Sequence, residues 1–196
     1  GLYLNPPEKA VVLCCDEKSQ CQALERTQPG LPLGMGHIRT RTHDYYRHGT
    51  VNLFAALDYL TGKLVGRTDG RHRHQEWLRF LKQIDREYVA DLAIHIILDN
   101  YATHKHPNVQ QWLAKHPRFR LHFTPTSSSW LNLVERFFRD ISEDVIRPGS
   151  FTCVKELTDD ILHYLAKRNL KPKRYVWKAD PYQVLEKIAR ARTRLE

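Results

Sequence analysis

Six consecutive apolar residues, Ala10 to Cys15, stop abruptly at Asp16, and a second run, Leu92 to Leu98 (LAIHIIL), stops in the same way at Asp99. Short unbroken runs of this kind read as strands buried on both faces. Thr50 to Leu57 and Leu64 to Thr68 read as two more strands, with Asp58 to Lys63 as the hairpin turn between them. Trp77, Leu81, Ile84 and Tyr88 recur at helical spacing and predict an amphipathic helix from about Arg73 to Val89. Pro107 suits the first turn of another helix, whose inner face would be Val109, Trp112, Leu113 and His116. Phe119, Leu121 and Phe123 alternate with Arg120 and His122, which predicts a half-buried strand.

Pro125 ends that strand, and Ser127 to Ser129 can cap a helix from about Trp130 to Ile146. A further helix is predicted from Thr152 to Arg168, with Val154, Leu157, Ile161 and Leu165 inward. Asp180-Pro181 reads as the N-cap and first residue of a last one. Ser19 to His48 has no apolar period and is rich in Gly, Pro, Thr and Arg. It is predicted to be a long loop (19–48), and a connection of that length points to function. Three strands followed by alternating helices and strands make an α/β chain. The expectation is a ribonuclease-H-like fold, a mixed five-stranded sheet flanked by helices. A chain of 196 residues suits one domain, taken as 1–180, followed by a basic C-terminal helix or tail at 181–196.

Strand ends are where ligand sites gather in open α/β sheets. Asp16 and Asp99 would emerge at one edge if their strands are parallel neighbours, although Asp also starts loops for purely structural reasons. Glu135 is more telling. Leu131, Val134, Phe138, Ile141 and Val145 form the apolar face of its predicted helix, so Glu135 projects on or beside that face. An ionised carboxylate there needs a positive partner. Arg120, Arg136 or Arg139 is one answer; a metal shared with the two aspartates is the other. Three carboxylates can hold two hard divalent ions about 4 Å apart, an arrangement suited to phosphoryl transfer. No Gly-rich phosphate loop suggests a nucleotide instead. His72 and His74, and His104 and His106, lack the further ligands that a zinc site needs. Ser127 to Ser129 have no nucleophile-elbow context.

Charge sharpens this picture. The chain carries +9, and the segment from His163 to Glu196, with ten Lys or Arg against three acids, holds +7 of it. A polyanionic partner fits, as does a merely solvated basic helix. Cys14, Cys15, Cys21 and Cys153 form no C-x-x-C pair, and the first two sit in an apolar run as small core residues. A reducing cytoplasm fits such a chain. No apolar run reaches the roughly 18 residues of a membrane span, and no signal pattern opens the sequence. It starts at Gly1, and its sole methionine is Met35. It is therefore expected to be a fragment of a longer protein.

Several words of the sequence resemble a known family. They are Asp16-Glu17-Lys18-Ser19, Thr42-His43-Asp44-Tyr45, Arg47-His48-Gly49-Thr50 and Leu98-Asp99-Asn100-Tyr101-Ala102-Thr103-His104-Lys105. Two more are Phe123-Thr124-Pro125-Thr126-Ser127 and Trp130-Leu131-Asn132-Leu133-Val134-Glu135-Arg136-Phe137-Phe138. The chain resembles a bacterial insertion-sequence transposase of the Tc/mariner superfamily from about Glu8 to Pro181. Thirty-five residues separate Asp99 from Glu135, a spacing typical of that group. The resemblance implies cut-and-paste movement of DNA bounded by inverted repeats. It makes Asp16, Asp99 and Glu135 the catalytic, metal-binding triad, with two Mg2+ or Mn2+ ions. It leaves Asn100, His104 and Asn132 beside the ligands or against DNA, and the loop after Asp16 against DNA and a partner subunit of a homodimer. Arg39, Arg41, Arg47 and Lys105 are the expected phosphate contacts near the site. Members begin with helix-turn-helix modules, and this chain shows none. Two other readings stay open: a ribonuclease-H-like nuclease, which usually recruits a fourth carboxylate that neither Asp58 nor Asp69 obviously supplies, and a non-catalytic DNA-binding descendant.

Overall fold

The computed structural model describes residues 2–3, 5–27, 44–125 and 129–176. Five strands form one sheet in the order β3-β2-β1-β4-β5. They are β1 (Ala10–Arg26), β2 (Tyr45–Asp58), β3 (Leu64–Asp69), β4 (Ala93–Leu98) and β5 (Phe119–Phe123). The first three pair antiparallel, and β4 and β5 run parallel to β1. The sheet is therefore mixed, as the element order predicts. The hairpin between β2 and β3 closes where expected, with Asp58 N–H donating to Lys63 O at 2.8 Å. Gly62 takes φ +77° in that turn, and the backbone of Lys173 and Arg174 passes so close that a Cβ there would collide with it.

Alternation along the strands sorts the core into two layers. Leu13, Cys15, Phe54 and Ala56 face α1 (His74–Glu87) and α2 (Pro107–Ala114), where Trp77, Phe80, Leu81, Ile84 and Val109 are buried. Val12, Cys14, Leu53 and Ala55 face α3 (Val134–Ile141) and α4 (Val154–Leu170), which supply Phe137, Ile141, Leu157, Ile161 and Leu165. Trp77, Phe80 and Phe137 are wholly buried. Burial of each such side chain stabilises the fold by roughly 1.5–3 kcal/mol. All four cysteines are free, and three of them are buried. Among the described residues, no helix is long and apolar enough to cross a membrane.

Two expectations need correction. The loop predicted at 19–48 is shorter at both ends. β1 continues to Arg26, and β2 begins at Tyr45, with Arg26 opposite Tyr45. Cross-strand hydrogen bonding carries this ribbon even though its polar residues show no apolar period. Its register slips between Lys18 and Cys21 and again between Gln22 and Leu24. Gln20 occupies the first irregularity with φ +53°, and its N–H donates to the buried Asn52 Oδ1 at 3.0 Å. The register slips also explain why a period-2 pattern was not visible there.

The helix predicted from Trp130 to Ile146 is three pieces: a 3₁₀ turn at Ser129–Leu131, α3, and a π-helical turn at Ser142–Ile146. Ser127 and Ser128, the Asp180-Pro181 helix start and the 181–196 tail lie outside the described residues.

Candidate active site

The parallel register of β1 and β4 sets Cys14 opposite Ile97. Two residues further along each strand come Asp16 and Asp99, so one sheet edge carries both. Alternation gives Asp16 the face of Val12 and Cys14, on which α3 packs. There Asn132, almost wholly buried, donates from Nδ2 to the Cys15 carbonyl at 2.7 Å and lies 3.5 Å from Asp16 Oδ2. Glu135 N–H in turn donates to Asn132 O at 3.2 Å. The entry to α3 is thereby tied to the end of the apolar part of β1, and Glu135 is delivered beside Asp16.

The three carboxyls feel one another. Burial pushes Asp16 up to about 8; the Glu17 N–H that donates to its Oδ1 at 2.8 Å opposes the shift, while the charges of Asp99, Glu135 and Glu17 add to it. Burial also raises Glu135, against a hydrogen bond with Asp16 and the nearby Lys18 charge. Glu135 is nevertheless exposed at the rim, where it shares the lining of an open cleft with Arg136 and Arg139. Among the described residues, neither arginine nor Arg120 forms an ion pair with it. The arginine partner that a structural glutamate would need is therefore missing.

Asp99 behaves differently. His104 is fully buried, packed 4.5 Å centroid to centroid against Trp77. Its Nδ1 lies 3.2 Å from Asp99 Oδ1, and its Nε2 lies 3.3 Å from Glu17 Oε2. Burial works against a charge on this ring, yet the hydrogen bonds to Asp99 and Glu17 prevail and push it up to about 9. The two carboxylates on either side of His104 favour its protonated form. Its hydrogen bond is the main reason that Asp99 stays below the usual carboxylate range.

Glu17 is the residue that sequence reasoning missed. Strand alternation sends it to the face opposite Asp16, so nothing in the pattern marks it. The buried ring of His104 meets it there. Asp58 and Asp69, weighed as a fourth carboxylate, are otherwise occupied. Asp58 Oδ1 caps the turn by accepting from Leu60 and Thr61 N–H, and Asp69 pairs with Arg67 and Arg79.

The remaining candidates divide. Lys105 is exposed one residue past His104, with its ammonium 5.0 Å from the Phe123 ring centroid. Asn100 is exposed beside Asp99. Arg47 does not stand near the carboxylates, contrary to expectation. It pairs with Leu24 on the outer ribbon and binds Tyr45 Oη at 2.9 Å. Ala55, the partner of Asp16, is eight residues further along β2, roughly 25 Å in an extended strand. Arg47 lies in β2, not in the loop predicted at 19–48. Arg39 and Arg41 lie outside the described residues.

Hard divalent ions take carboxylate oxygens and keep water in their remaining positions. Asp16 and Glu135 are neighbouring acids raised by burial and by the charge of Asp99, and among the described residues neither forms an ion pair with a lysine or arginine. Added positive charge would relieve them. As they stand, no three or more His, Cys, Asp or Glu side chains among the described residues form a ready-made cage. The set fits hard cations in kind, through oxygen donors that would draw together around them.

Comparison with known proteins gives a consistent result. Residues 11–158 match the DDE superfamily endonuclease family. The insertion element IS630 39 kDa protein of Shigella sonnei is 28% identical over 113 residues, 58% of this chain and 33% of the relative. The chain thus spans about a third of the length of that relative. Among solved structures, the Mos1 transposase paired-end complex with left transposon end superposes with TM-score 0.61 at 14% identity, covering 84% of this chain and 50% of that one. The catalytic core domain of BIV integrase superposes with TM-score 0.52 at 12% identity, covering 93% and 97%. At these identities the structural likeness shows the fold, which is the ribonuclease-H-like one expected. The family rests on the sequence match, which takes in Asp16, Asp99 and Glu135 in a single span. This chain belongs to the DDE superfamily endonucleases.

Proposed function

We propose that this chain is the catalytic domain of a Tc/mariner-type transposase, which cleaves DNA at the ends of a mobile element and joins the freed ends to target DNA. What supports the reading is that Asp16 and Asp99 follow neighbouring parallel strands and Glu135 enters beside Asp16 on α3, with Asp16 and Glu135 raised by burial and, among the described residues, in no ion pair with an arginine. Asp16, Asp99 and Glu135 would hold two Mg2+ or Mn2+ ions. Bound there, such ions supply activation of the attacking oxygen and stabilisation of the leaving one. A complex of the Mos1 mariner transposase contains Mn, and another contains Mg, which supports the same choice here.

The chain's own residues prepare the site. Asn132 fixes β1 immediately before Asp16, so that carboxylate is presented from a rigid strand. His104 orients Asp99 through Oδ1 and occupies Glu17 on its other side. Burial of Asp16 keeps bulk water from its carboxyl and strengthens every charge interaction around it. Both steps are in-line attacks on a phosphodiester that differ only in the nucleophile, first water and then a 3′ hydroxyl. No covalent intermediate is involved, so no Ser, Tyr or Cys of the chain is required. The partners are element-end and target DNA, bound by a homodimer in a bacterial cytoplasm, with the 1–180 segment as catalytic unit and 181–196 as a basic tail. Mos1 transposase is solved with a transposon end, in keeping with a DNA partner.

The test is a nicking assay on supercoiled plasmid and on oligonucleotides carrying an element end, with Mg2+ or Mn2+. The expected product is a strand with a 3′ hydroxyl, which is then joined to a second DNA. Cleavage confined to RNA–DNA hybrids would assign the site to a ribonuclease H instead. Binding without cleavage in either metal would make the chain a non-catalytic DNA-binding protein.

A further inference from the structure

Beside the carboxylates lies a second feature of opposite character. The run Gly70-Arg71-His72-Arg73-His74, between β3 and α1, faces the Tyr101–His106 segment across a cleft of about 510 Å³. Gln20 is also part of its lining. No Asp or Glu lines it, although Asp99 and Glu17 are held by the same 99–106 segment that forms its wall. Tyr101 belongs to both sites, since its N–H donates to Asp99 Oδ1 at 3.2 Å and its ring lies 6.5 Å from His72.

The lining has the makings of a nucleotide site. Arg73 is engaged by Glu76, but Arg71 is exposed and has no ion-pair partner among the described residues, so its guanidinium is available to a phosphate. His74 and His106 stack face to face, 3.5 Å apart and 3° from parallel. With Tyr101 and His72 they make a flat-walled cleft of the kind on which bases stack. A duplex cannot use such walls, because its base faces are covered by neighbouring pairs. The volume is that of a small-ligand pocket, far too narrow for a double helix. Gln20 also lines the cleft on its other side, where Lys18, Arg26 and Arg147 gather. Its positive φ at the β1 irregularity sets it between the two basic grooves, four residues from Asp16. Backbone held in that conformation is a feature that functional sites retain.

We propose that this cleft binds an unpaired nucleotide of the DNA strand next to the scissile phosphate, with Arg71 on its phosphate and the Tyr101, His72 and His106 rings against its base. The inference rests on the DNA-cleaving reading above and adds to it a requirement for locally unpaired substrate.

The experiment compares a single-stranded oligonucleotide carrying 2-aminopurine with the same sequence as a blunt duplex. Binding is followed by anisotropy and 2-aminopurine emission in calcium, so that DNA stays intact. Arg71→Ala and His72→Ala should each weaken single-strand binding about fivefold or more and reduce the emission change, with a smaller effect on duplex. Lys82→Ala, eight residues further along α1 from His74, should leave both unchanged. Equal losses on single strand and duplex would reduce the cleft to a general phosphate patch, and unchanged single-strand binding in both variants would remove it altogether. Either result overturns the proposal. Nicking by the wild-type protein in Mn2+, run in parallel, separates the two readings: if it persists while the cleft variants bind normally, only the cleft assignment fails.

Discussion

Asn132 Nδ2 donates to the Cys15 carbonyl oxygen at 2.7 Å, joining the entry of α3 to β1 one residue before Asp16. A single buried amide thus sets the distance between two of the three acids. Asn132→Ala leaves that carbonyl without its partner, at a cost of about 1–3 kcal/mol. Cleavage should fall about 10- to 100-fold, the usual penalty for losing a group that orients a metal ligand. Asn132→Asp should be worse, because it sets a like charge 3.5 Å from Asp16 and an acceptor against an acceptor. Denaturant midpoints and nicking rates on the same preparations check both.

Asp99→Asn keeps the shape of the side chain while removing its charge. It should abolish nicking of uncut ends and joining of pre-cut ends together, and lower the thermal midpoint modestly, because the buried His104 loses the charge of one of its two carboxylate partners. Joining at the wild-type rate by this variant would show that Asp99 is not shared between the two steps. Calcium should support DNA binding with little chemistry, since its loose coordination fixes the attack geometry poorly.

Crowding of acids implies a trade between stability and activity. In metal-free buffer Asp16→Asn should be inactive yet more stable than wild type by about 1 kcal/mol, because it replaces a carboxyl that burial, and to a lesser extent its acidic neighbours, penalise. Scanning calorimetry in EDTA reads this directly. A lower midpoint for the variant would mean that Asp16 is held by favourable contacts rather than strained by its neighbours.

Glu76 provides a pH test away from the site. Hydrogen bonds from Arg73, against the effect of burial, hold its carboxyl down at about 2, and Arg79 adds a second contact at 2.9 Å. The folded value lies below the ordinary one, so the stabilisation is present above about 4.5 and is lost as pH falls toward 2. Glu76→Gln should therefore flatten the acid limb of the stability curve and lower stability at pH 7. An acid limb unchanged by the substitution would rule this contribution out.

DNA affinity should be largely electrostatic and fall steeply with salt. Lys105→Ala should reduce the slope of log K against log salt by about one. Arg47→Ala should do the same only if DNA reaches the outer ribbon. Footprints on DNA of increasing length would show whether the Arg47 effect needs a longer duplex than the Lys105 effect.

The apolar pattern made most of the fold legible. Two runs ending at acids gave parallel strand ends, and helical spacing gave α1, α2 and α4 within a few residues. Glu135 was legible as an acid beside an apolar helical face. The outer ribbon was not, because Lys18 to Arg26 pairs with β2 through backbone hydrogen bonds across a register that slips twice, so its polar side chains keep no period. The 3₁₀ and π-helical turns around α3 were hidden for a similar reason: the same apolar residues suit a continuous helix, and the Asn132 bond that interrupts it spans more than a hundred residues. Glu17 was invisible because its partner, His104, meets it only in three dimensions.

The sheet order has a consequence for how the site comes into being. β1 pairs with β2 and β2 with β3, each a sequence neighbour, and these can pair early, but the strand bearing Asp16 sits at the centre and waits for β4 to dock on its other edge. That pairing closes a loop of roughly eighty residues, the slow kind of contact in folding. Glu135 follows later still, when α3 reaches the sheet. A chain emerging from the ribosome therefore displays Asp16 long before it can display the triad. Competence to cut would be acquired in a late step, after the scaffold that restrains it is complete.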